Sequence, residues 1–259
     1  MKKNVITALI LVSSLFLSGC ASLDGPTDPS DPFESYNRSM DTFNKNVDHY
    51  VLKPVAKGYD AITPSPVQKG VGNFFSNLDD VLVIFNDLFQ FKFKQLASDT
   101  GRLLVNSTVG LFGLIDWASD MGLEKHNEDF GQTLGYWGIS SGPYLILPFF
   151  GPSTVRDTGG LFTDSSYLDP INNEVHERWV YPNRNRDISI SLTIVKAVDF
   201  RAGLLKAENV LNEAALDPYI YVREVFLQRR NNLVHDGNPP FKSESDIDDL
   251  FDEDDIFEN

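Results

Sequence analysis

SNLDDVLVIFNDLFQFKF, residues 76–93, is apolar over far more of its length than a helix on a water-facing surface tolerates. Val81, Ile84, Phe85, Leu88 and Phe89 recur at intervals of three and four, the period of an α-helix, and Phe91 and Phe93 extend the run. Ser76 followed by Asp79 has the form of a capping box and predicts the helix start just before Val81. The polar residues beyond that point are sparse, Asn86, Asp87 and Gln90 among them, so this helix is buried in protein or faces lipid.

The neighbouring stretch, residues 103–118, has the same character. Its centre runs Asn106-Ser107-Thr108-Val109-Gly110-Leu111-Phe112-Gly113-Leu114-Ile115. Gly110 and Gly113 make a straight helix unfavourable here, so a helical hairpin or re-entrant turn fits better. A buried core helix with a packing glycine remains the alternative, because periodicity alone does not separate the two. Further on, residues 128–148 alternate glycine with aromatic residues, which predicts an irregular path of tight turns and close backbone approaches. Tyr136, Trp137 and Tyr144 are amphipathic rings of the kind found at membrane interfaces.

Toward the N-terminus, Asp31-Pro32-Phe33-Glu34 carries the chemistry of a helix start: Asp31 to cap, Pro32 at the first helical position, Glu34 to reach back. Phe33, Tyr36, Asn37, Met40 and Phe43-Asn44 follow at helical spacing. Near the other end, residues 188–198 give a weak helical pattern and residues 201–216 a better one. Asp217-Pro218 starts a last helix that runs to Arg229 and Arg230, where two cations suit the negative end of the helix dipole. No strand pattern dominates. The expected fold is mainly α, a single domain over residues 31–235.

The first residues read as an export signal. Lys2 and Lys3 form a positive start, residues 5–16 an apolar segment, and Leu17-Ser18-Gly19-Cys20 a small-residue cleavage site between Gly19 and Cys20. Cys20 is the only cysteine, so no intramolecular disulfide can use it, and lipidation consumes the thiol. Leu-Ser-Gly-Cys resembles a lipobox, which implies acyl chains such as palmitate on Cys20. With each buried methylene contributing about 0.8 kcal/mol, several chains hold a protein at a bilayer where one does not. Residues 20–30, with Gly25, Pro26 and Pro29, then form an acylated tether. Ala21 and Ser22 follow the cysteine with no Asp beside it, which by resemblance to enteric sorting sends the protein to the outer membrane, on its periplasmic side.

The net charge of −15 grows more negative by two once Lys2 and Lys3 leave with the signal, and an acidic chain does not seek nucleic acid. The acids gather in residues 236–259, expected to be a disordered tail. Ile247, Leu250, Phe251, Ile256 and Phe257 interleave with them, so docking of a basic partner is the sharper alternative to simple solvation. Catalytic and metal signatures are absent from the sequence: the thiol is consumed, His49, His126, His176 and His235 show no ligand spacing, and no zinc, phosphate-loop or nucleophile-elbow motif occurs. No cofactor is expected. Glu128-Asp129 is an adjacent acid pair of the sort that is usually solvated or capping.

Several blocks together resemble one family. Asp31-Pro32-Phe33-Glu34-Ser35-Tyr36-Asn37-Arg38 is similar to the opening motif of the MlaA, or VacJ, lipoproteins. Gly110 to Ala118 resembles its second block. Residues 128–148 resemble its most distinctive one, with Phe130, Gly131, Gly135, Gly142 and Pro143, followed by Gly151-Pro152-Ser153 and Arg156-Asp157. Asp217-Pro218 to Glu224 is similar to the last.

The resemblance implies a ring-shaped helical body lying in the inner leaflet of the outer membrane and associated with a trimeric porin. It implies that phospholipids strayed into the outer leaflet pass through an amphipathic channel to a periplasmic lipid-binding carrier, which keeps the bilayer asymmetric. Asn37, Arg38, Asn44 and Asn106 are the candidates for channel lining, each with a capping or surface role as the alternative. The segment Gly110-Leu111-Phe112-Gly113 is the candidate gate hairpin. Two other readings stay open: a structural lipoprotein that braces a porin, and a periplasmic hydrolase whose site no motif marks.

Overall fold

The computed structural model describes residues 31–171, 186–205 and 217–240. The expected signal, cleavage site and tether, and the tail beyond residue 240, lie outside the described residues.

Helix α1 (Glu34–Val47) passes through a π-helical turn, Asp48–Leu52, into α2 (Lys53–Ile62). Helix α3 (Ser65–Phe89) turns at Gln90–Lys92 into α4 (Phe93–Thr108), and the two pack along each other. A short helix α5 (Trp117–Asp120) is followed by α6 (Phe130–Tyr136). Strands β1 (Tyr144–Leu147) and β2 (Gly151–Thr154) form an antiparallel hairpin in the register Tyr144 to Thr154 and Leu147 to Gly151. Helix α7 (Val155–Thr163), a second π-helical turn (Asp164–Leu168), α8 (Arg186–Leu204) and α9 (Pro218–Val234) complete the described chain.

Two expected helix starts move. Helix α3 begins at Ser65, so Ser76 and Asp79 lie in its middle. Pro64 and Pro66 set that start, because proline fits the first turn, where its missing N–H is not needed. Asp79 pairs with Lys196 at 2.5 Å instead of capping. Asp31 does not cap α1 with its side chain either: only its backbone oxygen meets Glu34 N, at 3.1 Å, and its carboxylate is buried elsewhere. Asp217 does cap α9, accepting from Tyr219 N at 2.9 Å.

The expected apolar face of α3 points outward. Phe85, Leu88 and Phe89 are exposed, whereas Asn77, Asp80, Asn86 and Asp87 are buried together with Phe75 and Val83. Helix α4 repeats the arrangement, with Phe93 and Leu104 outside and Asp99, Arg102 and Asn106 inside. Among the described residues, more polar and charged side chains than apolar ones are buried. Such burial is tolerable only where partners are supplied. A small apolar core of Tyr144, Ile146 and Tyr219, backed by Met40, Phe226 and Leu227, joins the hairpin to α1 and α9. No helix among the described residues is long and apolar enough to cross a membrane.

Residues 109–116 resolve the choice left open for the second apolar stretch, in favour of a turn. Leu111, Phe112 and Gly113 have φ of 54°, 60° and 89°. A Cβ on Gly110 would stand 2.2 Å from Ile115 O, and one on Gly113 would stand 2.7 Å from Asn77 Cβ. The chain closes on itself through Gly113 N to Asn106 O at 2.8 Å and Ile115 N to Gly110 O at 2.9 Å. Leu111 and Phe112 stay exposed, Phe112 at 79%.

Candidate functional site

None of the four residues expected to line a channel borders either of the two cavities described below. Asn37 is fully buried; its amide donates to Asp31 Oδ1 (3.0 Å) and Tyr144 O (3.1 Å) and accepts from Ile146 N (2.8 Å). Asn44, two turns further along α1, donates to Leu147 O and accepts from Phe149 N, at 2.9 and 2.8 Å. Both side-chain amides therefore complete the backbone hydrogen bonding of the hairpin, which a helix backbone cannot do. Asn106 does the same for the turn after α4, donating to Asp116 Oδ1 and accepting from Ala118 N. With Ser119 and Arg102, that bond outweighs the penalty of burial and holds the Asp116 carboxyl down at about 2. Arg38 is half-exposed and pairs with Glu34 (2.7 Å) and Asp217 (2.9 Å), with its guanidinium 4.3 Å from the Tyr219 ring centroid. The capping-type alternative describes the asparagines better than a channel wall.

The Asp-Pro motifs meet in space. Asp31 accepts from the Tyr219 hydroxyl and from Arg223 Nη1 (3.3 Å), while Arg38 reaches Asp217. Each block thus receives the arginine of the other.

Two cavities are lined by the described residues named below. The larger, about 620 Å³, is walled by Lys94, Lys125, His126, Glu128, Gln132 and Asp236, among others. Beneath it lies a buried polar chain. Lys92 Nζ bridges Glu128 (2.8 Å) and Asp236 (2.5 Å), Gln90 links Glu128 to Thr133, and Thr133 donates to Asn86. Lys125 pairs with Asp80 and His126 with Asp99, at 2.8 Å in the second case. Burial, then the neighbouring Asp99 and Glu128 carboxylates, push the Asp87 carboxyl up to about 8, so it is largely protonated at neutral pH.

The smaller cavity, about 220 Å³, lies between the hairpin, α7 and α9. One wall is apolar: Leu147, Phe150, Pro152, Leu161 and Phe226. The other carries Asp129, Asp157, Asp164 and Arg230. Arg230 grips Asp129 with both Nη atoms (2.6 and 3.0 Å) and Asp157 with one (2.8 Å). Although burial opposes it, the Arg230 charge holds the Asp129 carboxyl below the ordinary range. Asp164 accepts from Phe130 N at 2.9 Å, but burial dominates and raises its carboxyl to about 6.

The glycines of the distinctive block build this wall. A Cβ on Gly131 would meet Asp157 Oδ1 at 2.6 Å and Arg230 Nη2 at 2.9 Å. One on Gly160 would meet Gly131 N at 2.3 Å, so α6 and α7 cross backbone to backbone. Gly135 gives room to Arg156 and Val234, and Gly142 takes φ of +66° before Pro143. The sequence points to Gly131, Gly135 and Gly142 but not to Gly160, nor to Asp157, Asp164 and Arg230 as one wall, nor to the buried Asp80, Asp87, Asp99 and Arg102. A signal exists for part of the second group: Asp99, Arg102 and Asn106 stand at i, i+3 and i+7, one polar stripe along the helix.

Comparison with known proteins agrees over most of the chain. The profile of the MlaA lipoprotein family matches residues 29–233. The Haemophilus influenzae protein named intermembrane phospholipid transport system lipoprotein MlaA is 34% identical over 257 residues, covering 97% of this chain and 98% of its own. The Escherichia coli K12 protein of the same name is 35% identical over 240 residues, covering 90% of this chain and 89% of its own. A solved structure described as the structural basis for maintenance of bacterial outer membrane lipid asymmetry superposes with a TM-score of 0.66 at 33% identity, covering 79% of this chain and 99% of that one. The arrangement of its Asp-Pro and glycine blocks and these likenesses together place the chain in the MlaA lipoprotein family.

Proposed function

We propose that this protein is an outer-membrane lipoprotein that keeps the two leaflets different, by withdrawing phospholipids that have strayed into the outer leaflet and passing them to a periplasmic lipid-binding carrier. The observation that carries the reading is the reversed distribution of polarity in α3 and α4: Phe85, Leu88, Phe89, Phe93 and Leu104 outside, Asp80, Asp87, Asp99 and Arg102 inside. In water this would expose apolar surface at a cost of roughly 25 cal/mol per Å². In the hydrocarbon of a leaflet the same faces are solvated, and the buried polar groups give a charged headgroup somewhere other than oil to go. The names of the Haemophilus influenzae and Escherichia coli relatives support the same reading.

The body is proposed to form a ring in the inner leaflet, held there by acyl chains on Cys20 after cleavage behind Gly19, and to sit beside a trimeric porin. The turn Gly110-Leu111-Phe112-Gly113, with its exposed apolar tip, is the proposed gate. The test is to delete the gene and measure phospholipid in the outer leaflet. Accumulation that is reversed by the acylated protein, and not by a Cys20→Ala form, is expected. An unchanged outer leaflet in the deletion strain would overturn the proposal.

A further inference from the structure

We infer that the 220 Å³ cavity between the hairpin and α9 receives a zwitterionic headgroup bearing a primary ammonium, that of an ethanolamine phospholipid. This rests on the lipid-handling reading above and adds a headgroup preference to it.

The cavity wall has unmet hydrogen-bonding capacity of both signs. Asp157 Oδ2 and Asp164 Oδ1 are buried acceptors without a partner among the described residues, and Arg230 Nε is a buried donor without one. Asp164 is only 6% exposed and Asp157 9%. Unmade bonds of this kind are costly in a protein interior, and charged groups cost the most. Their arrangement selects a ligand. Two carboxylate oxygens call for a cation that carries N–H donors; the guanidinium Nε–H calls for an anionic oxygen. A phosphoethanolamine group has the ammonium and the phosphate joined by a short link.

Charge points the same way. Arg230 and Arg156 are matched by Asp129 and Asp157, whereas Asp164 meets a backbone N–H of Phe130 and the Asn86 amide, both uncharged. The ammonium of the headgroup gives Asp164 a cationic partner, and the phosphate goes to Arg230. Water alone does not satisfy both sides of the cavity. Water can meet the acids but gains nothing against Leu147, Phe150, Leu161 and Phe226. An amphiphile places its head on the acids and the start of its chains on those side chains, leaving by the exposed Phe150.

A choline headgroup is the informative contrast, because its quaternary nitrogen is equally charged but has no N–H to give. Losing a hydrogen bond to a charged partner corresponds to roughly a tenfold change in affinity. The experiment uses the full acylated protein in detergent and titrates it with dihexanoyl phosphatidylethanolamine, dihexanoyl phosphatidylcholine and free phosphoethanolamine. The ethanolamine lipid should bind about tenfold tighter than the choline lipid, and Asp164→Asn should erase that difference while both lipids still bind. Equal affinities in the unaltered protein would overturn the headgroup inference and leave lipid handling intact. Free phosphoethanolamine binding as tightly as its lipid would assign the cavity to a soluble amine and overturn the lipid source. Failure of both lipids to bind would sink this inference and the proposed function together. The comparison of headgroups in the unaltered protein decides the matter even if the Asp164→Asn variant does not fold.

Discussion

Arg38 and Asp217 meet at 2.9 Å although 179 residues separate them in sequence, and the favour is returned by Arg223, whose Nη1 lies 3.3 Å from Asp31. The two pairs differ in surroundings. Arg38 and Asp217 are each about two-fifths exposed, whereas Asp31 is fully buried and Arg223 nearly so.

Their removal should therefore be unequal. Arg38→Ala breaks an exposed, solvent-screened pair and should change stability little. Arg223→Ala strips a cation from the buried Asp31 and should cost about 3–5 kcal/mol. Denaturant midpoints of the purified protein in detergent measure both. Equal losses would mean that Asp31 is satisfied by Asn37 and Tyr219 alone.

Neighbouring glycines in α7 should respond with opposite sign. A Cβ at Gly159 meets nothing within 4 Å, so Gly159→Ala should stabilise by roughly 0.4–1 kcal/mol by restricting the unfolded chain. At Gly160 the same atom meets Gly131 N at 2.3 Å, and Gly160→Ala should destabilise by about 1–3 kcal/mol as α6 is forced away. Thermal melts of the two variants, run side by side, check the ordering.

The turn at Phe112 should trade stability against membrane contact. A non-glycine residue in the left-handed region costs roughly 1–2 kcal/mol, and glycine there gives back about 0.5–1 in chain entropy. Phe112→Gly should thus leave the fold as stable or slightly more so, while weakening association with phospholipid vesicles. A stability loss, with vesicle binding unchanged, would show that Phe112 serves the fold alone.

Asp87 sets a pH trend. Its carboxyl is raised to about 8 in the folded protein against about 3.9 in an unfolded chain, so the folded form holds its proton more tightly. Its contribution to stability is complete below about pH 4 and is lost as pH rises through about 8. Asp87→Asn should leave low-pH stability nearly unchanged and make the protein relatively more stable above about pH 8. Parallel stability curves from acid to alkaline pH would refute the assignment.

How much of this was legible in the sequence depended on whether the deciding interaction was local. The helical period of residues 81–89 and the helix start at Asp217-Pro218 involve neighbours in the chain, and both are legible. The start of α3 was misread because a capping box at Ser76 is also an ordinary pair of polar residues on a long helix, and Pro64 and Pro66 carried the stronger signal. Periodicity found the stripe of α3 but not its direction, since the same stripe serves a helix facing protein or lipid. Asn37 and Asn44 stand out in the sequence as polar residues beside Phe33, Tyr36, Met40 and Phe43. Their role depends on Tyr144 O, Ile146 N, Leu147 O and Phe149 N, more than 100 residues away, and no spacing within α1 records that. The cavity wall escaped for the same reason: Asp129, Asp157 and Arg230 come from three separate elements.

The crossed arginines also govern how the body answers a pull. Any tug transmitted along the chain ahead of residue 31 arrives at a point already knotted to the last helix. Peeling α1 away would require tearing Asp31 from Arg223 and Arg38 from Asp217 in the same movement. Drag on the leading end is therefore shared with the start of α9 instead of unzipping α1 from its edge.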